Sequence, residues 1–146
     1  LFDLRWSPSR ELLIFPFYAL GLFGEMLGKI FIYHPGPPFM FFRYNLNFFL
    51  FPSSYVQADY SYPSGHALRV AFLIVVLGTI IARSRKISFT AKFLLEAGLV
   101  ILLLLVAISR VSLGEHWASD VVGGVLLGTS LGLLAASGVV YGSRTR

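Results

Sequence analysis

Four stretches of the 146-residue chain stay apolar long enough to approach the roughly 17 to 25 residues that a helix needs to cross a bilayer. They run from Glu11 to Tyr33, Ala67 to Ala82, Phe93 to Ile108 and Val121 to Tyr141. The two middle runs are short by themselves, but each gains length when its flanking polar residues lie at the membrane interface. The pattern predicts an all-α transmembrane helix bundle with four spans, in one domain covering residues 1–146. The segment from Pro35 to Pro63 differs, because Pro35, Pro37, Pro38, Pro52 and Pro63 interrupt any long helix. Its rings, Phe39, Phe41, Phe42, Tyr44, Phe48, Phe49 and Phe51, suit a headgroup region. It reads as a loop or short helix along the outer surface, or as an aromatic lid packed on the protein.

Composition supports lipid as the main solvent: 56 % of residues are hydrophobic and 13 % charged, where a soluble domain carries about a quarter charged residues. The net charge of +5 does not point to nucleic acid, because its placement is topological. Arg83, Arg85, Lys86 and Lys92 fill the link between the second and third spans, Arg5 and Arg10 precede the first, and Arg144 and Arg146 end the chain. An even number of crossings puts all three groups on one side, the cytoplasmic one by the positive-inside rule. The chain has no cysteine, which excludes disulfides and thiolate metal sites. The first span lacks the features of a signal peptide, and a chain beginning at Leu1 reads either as a fragment or as a chain trimmed at its start. Gly124, Gly128 and Gly132 share one face of the last helix and predict close packing of a neighbouring helix.

The polar residues that remain gather in two places. Tyr62-Pro63-Ser64-Gly65-His66 leads into the second span, and the run from Ser109 to Asp120 joins the third to the fourth. With the topology above, both emerge at the outer surface. A neutral imidazole can attack phosphorus, a carboxylate can hold its other nitrogen, and an arginine can grip two phosphate oxygens in a fork. Pro-Ser-Gly at a helix start offers free amides and the positive end of the helix dipole to an anion. His116 and Asp120, four residues apart, face the same way if that segment is helical.

These two motifs resemble the second and third signatures of the type 2 phosphatidic acid phosphatase superfamily, P-S-G-H and S-R-x5-H-x3-D, at every specified position. Each four-residue match has a chance probability on the order of one in a hundred thousand per start site at background frequencies. The resemblance implies that His116 is the nucleophile forming a phosphohistidine, Asp120 orients it, and His66 is the general acid for the leaving alkoxide. It further implies that Ser64, the Gly65 backbone and Arg110 bind phosphate, with no metal and no cofactor. The first signature, K-x6-R-P, is partial: Lys29 and Pro37 match, and Gly36 stands where the arginine belongs. Members of the membrane branch usually have six spans with these motifs on the last four, which implies two further spans before residue 1.

Arg69, one turn after His66, is the leading candidate to replace the missing arginine, since a charge inside a membrane helix needs an anionic or polar partner. The alternative is an arginine snorkelling to the headgroups. Arg43 and His34 are further candidates. Glu25 precedes Lys29 by four residues and either holds it toward the site or forms a simple helical pair. Glu115 is expected to point away from His116 as an interfacial carboxylate. Glu96 pairs with another helix or lies near the cytoplasmic headgroups, and Trp117 is an interfacial anchor.

The resulting expectation is an integral protein of the plasma membrane with its site on the extracytoplasmic side. It would hydrolyse a phosphomonoester or diphosphate on a lipid such as phosphatidic acid, phosphatidylglycerol phosphate, a polyprenyl diphosphate or lipid A. Alternatives are transfer of the phosphoryl group to another acceptor, and a non-catalytic lipid-binding or transport protein that keeps the fold. Vanadium-dependent haloperoxidases share the site residues but are soluble.

Overall fold

The computed structural model describes residues 12–38 and 60–141. The aromatic run from Phe39 to Phe51, with Arg43 and Pro52, lies outside the described residues, as do Arg5, Arg10, Arg144 and Arg146. The architecture is four helices: α1 (Ile14–Phe31), α2 (Gly65–Arg83), α3 (Phe89–Ser112) and α4 (Ala118–Tyr141). All four are long and apolar enough to cross a membrane. The two middle spans reach 19 and 24 residues because the helices take in the polar residues that flank each apolar run.

Short links fix the helix directions. Residues 84–88 join α2 to α3. Ser88 caps α3 by accepting from the Ala91 amide at 3.3 Å, and Lys92 Nζ reaches back to the Ala82 carbonyl at 2.7 Å. At the other end of α3, Gly114 adopts φ 74°, a left-handed conformation that glycine takes without a Cβ penalty. The chain thereby leaves α3 and enters α4 within a few residues. The C-termini of α1 and α3 and the N-termini of α2 and α4 therefore share one end of the bundle, and the basic 84–88 link lies at the other.

The most extensive interface is between α2 and α4, and the glycine stripe explains it. A Cβ at Gly128 would lie 2.2 Å from the Leu68 carbonyl oxygen, and one at Gly124 2.3 Å from that of Ser64. The two backbones meet where only hydrogen fits. Phe72, Val76, Leu131 and Ala135 form the core beside this seam, with the Tyr18 ring of α1 tilted against Phe72 at 5.4 Å. No residue of α3 is buried, consistent with a helix solvated mainly by lipid. Its Glu96 turns toward α2, where a Cβ on Gly78 would fall 2.8 Å from Oε2, so this carboxylate packs against another helix.

Candidate active site

The two sequence motifs meet through the backbone. The Ser64 amide donates to the Asp120 carbonyl at 2.9 Å, joining the start of α2 to the first turn of α4. Ser64 is the extended residue before α2, and its hydroxyl does not cap the helix. Its Oγ is buried without a hydrogen-bond partner among the described residues. The amides of Gly65, His66 and Ala67 precede the first intrahelical bond, from Leu68 to the Ser64 carbonyl, so this end keeps donors for an anion.

Asp120 is fully buried and organises its surroundings. Its Oδ2 accepts from Ser61 Oγ at 2.8 Å and from the Trp117 amide at 3.1 Å, and lies 3.4 Å from His116 Nδ1. On the other side, Oδ1 is 3.2 Å from His34 Nδ1, without the geometry of a hydrogen bond. Ser61 has one hydroxyl proton and three partners in reach, the carboxylate at 2.8 Å, the His34 carbonyl at 3.0 Å and His34 Nδ1 at 3.2 Å, the last donating or accepting according to its tautomer; the carboxylate is the strongest acceptor. Asp120 as partner assigns the neutral His116 proton to Nδ1, which leaves the Nε2 lone pair free to react. His116 precedes α4 instead of lying on it. The contact arises because Asp120, in the first turn, reaches back to residues 116 and 117. Burial pushes the His116 imidazole below its ordinary 6.5, opposed by the charge and hydrogen bond of Asp120 and assisted by the positive charge of Lys29.

The cations at this end have carboxylate partners. Glu25 Oε1 accepts from Lys29 Nζ at 2.7 Å and Oε2 from Arg69 at 2.8 Å, while Arg110 pairs with Glu115. His66 is exposed at the start of α2, within the fields of Arg110, Glu115, Arg69 and Glu25. The fields of Lys29 and Glu115 act on His116. The sequence expectation for Glu115 is corrected: it lies in the turn before α4, not on a helix facing away, and its charge acts on both histidines. His34 stands beside Asp120, and Trp117 donates its indole N–H to the Pro35 carbonyl at 2.9 Å. Ser61 and the bridging role of Glu25 have no spacing signal in the sequence, because their partners are 59 and 44 residues away. Among the described residues, no cluster of His, Asp and Glu is arranged to hold a metal ion.

Membrane-crossing helices that carry P-S-G-H and S-R-x5-H-x3-D side by side at one end define a class of membrane protein with a phosphatase-type signature site. The chain belongs to the PAP2 superfamily, which it matches over residues 12–144. It is 40 % identical over 77 residues to an undecaprenyl-diphosphatase of Sulfolobus acidocaldarius, covering 53 % of this chain and 32 % of that protein. It is 32 % identical over 75 residues to phosphatidylglycerophosphatase B of Bacillus subtilis, covering 51 % of this chain and 37 % of that protein. The matched region thus spans about a third of each relative's length. No solved structure matches the chain.

Proposed function

We propose that the protein is a metal-independent lipid phosphatase that releases phosphate from a phospholipid or polyprenyl (di)phosphate through a phosphohistidine on His116. The observation that carries the reading is the Ser64 to Asp120 backbone bond, which sets a cradle of amide donors against the carboxylate beside the nucleophile. In this mechanism His116 Nε2 attacks phosphorus while its Nδ1 proton stays on the Asp120 side. Ser64, the Gly65 amide, Lys29, Arg69 and Arg110 hold the phosphoryl oxygens, whose charge catalysis of this kind must stabilise. His66 gives its proton to the departing alkoxide or phosphate, then takes one from the water that cleaves the phosphorus–nitrogen bond.

Two relatives named for an undecaprenyl diphosphate and a phosphatidylglycerophosphate activity favour a lipid phosphate as substrate. The basic link 84–88 at the opposite end favours an extracytoplasmic site in the plasma membrane. The test is phosphate release by the purified full chain in lipid vesicles from phosphatidic acid, phosphatidylglycerol phosphate and undecaprenyl diphosphate. Release from at least one, absent in His116→Ala, is expected. No release from any of them sinks the proposal.

A further inference from the structure

Glu25 is a carboxylate where phosphoryl transfer has no direct use for one. It lies in α1, one turn before Lys29, and is 7 % exposed. Its oxygens are divided between two cations on different helices, Oε1 to Lys29 at 2.7 Å and Oε2 to Arg69 at 2.8 Å. It is also pressed against the first residue of α2: a Cβ on Gly65 would fall 2.1 Å from Oε1 and 2.6 Å from Oε2. The same glycine belongs to the P-S-G-H signature.

We propose that Glu25 is a positioning residue that yokes Lys29 and Arg69 into one cationic platform at the phosphate cradle. Through that yoke, Arg69 supplies the charge that Gly36 does not. The inference rests on the phosphoryl-transfer reading above. A buried carboxylate left with no cation is costly, and two cations overcompensate it, so the trio keeps one positive charge. An ammonium has three donors and a guanidinium five. The bonds to Glu25 use one from each. The side chains of Lys29 and Arg69 remain 39 % and 38 % exposed, so donors remain for a phosphate on the open side. Both cations already act on the histidines, Lys29 on His116 and Arg69 on His66.

The opposite role for Glu25 would be a placeholder that competes with phosphate for the cations. Its position argues against this, because the carboxylate side chain is 9 % exposed and walled by Gly65. A headgroup arriving from the open side meets the cations first. The yoke also ties α1, which packs chiefly on α4, to α2.

The experiment uses the full chain in lipid vesicles, with kcat/KM on a lipid phosphate and direct binding of orthovanadate as readouts. Glu25→Gln keeps the volume beside Gly65 and removes the charge. It is expected to lower kcat/KM about tenfold or more and to weaken orthovanadate binding. In an Arg69→Gln background the same change is expected to cost far less, because the carboxylate acts through the arginine. Fully additive losses, or tighter orthovanadate binding by Glu25→Gln, overturn the proposal. Should Glu25→Gln not fold, Glu25→Asp, which keeps the charge and shortens the reach, is expected to weaken orthovanadate binding; unchanged affinity overturns it. A wild type that binds orthovanadate but hydrolyses no lipid phosphate refutes the proposed activity while leaving the Glu25 comparison readable.

Discussion

Ser64 and Asp120 are 56 positions apart in the chain (120 minus 64), yet the amide of one donates to the carbonyl of the other at 2.9 Å. The bond lies at the end of the glycine seam, where Gly124 abuts the Ser64 carbonyl oxygen. Close helix packing and the alignment of the two signatures are therefore one structural fact. A perturbation of the seam should reach the site.

The close packing of the seam is tested at Gly128. A Cβ there meets the Leu68 backbone at 2.2 Å, and backbone cannot swing aside as a side chain can. Gly128→Ala should destabilise the protein by about 1 to 3 kcal/mol, the usual cost of overpacking. Gly98→Ala, with nothing within 4 Å, is the matched control. A lower thermal midpoint in detergent for the first variant alone is the expected outcome, and equal midpoints would count against the seam.

His116→Ala should abolish turnover and leave no phosphorylated enzyme, whereas His66→Ala should slow mainly the release of poor leaving groups. The division follows from the proposed roles of nucleophile and general acid. Rapid quenching with a labelled lipid phosphate measures both. A phosphoenzyme trapped in His116→Ala rejects the assignment.

The pH profile follows from the depressed His116 value. In the proposed mechanism attack needs the neutral imidazole, and burial favours that form, so the acid limb of kcat/KM should fall below 6.5. Asp120→Asn removes a charge that favours the protonated ring, so the limb should move still lower as the rate drops. For stability, a depressed folded-state value means the unfolded chain binds more protons. The contribution of neutral His116 is complete above about 6.5 and is lost as pH falls through the folded value. An acid limb above 6.5 that disappears with His116 would contradict this.

Arg69→Ala should cost on the order of 2 to 4 kcal/mol of transition-state stabilisation, as removal of a preorganised donor does. Arg69→Lys should recover only part, because an ammonium cannot reproduce a forked contact. Comparing kcat/KM for the two variants on one lipid phosphate decides the point. Near-wild-type activity in Arg69→Ala makes the residue merely interfacial.

The spans were legible because unbroken apolar length needs no tertiary knowledge, and Gly124, Gly128 and Gly132 were legible because helical period alone puts them on one face. The pairing of His116 with Asp120 was readable from spacing, but the route to it was not. Gly114 turns the chain out of α3, and His116 stands before the helix that its spacing suggested. Arg69 announced its need for an anion by its depth in an apolar run. That the anion is Glu25 depends on how α1 meets α2, which no local pattern encodes. Ser61 carries no local signal for the same reason, since an isolated serine between two tyrosines acquires meaning only once Asp120 is beside it.

The hydrogen bond from Trp117 to the Pro35 carbonyl bears on what the departure from the first signature amounts to. Residue 36 lies between a proline moored to the loop that carries His116 and a second proline, Pro37, that is buried. Residue 36 is flanked by a hydrogen-bonded carbonyl on one side and a buried proline on the other, with no arginine side chain of its own. Gly36 thus lacks the signature's side chain yet sits at a fixed address, and the indole N–H of Trp117 is one of the groups that fixes it.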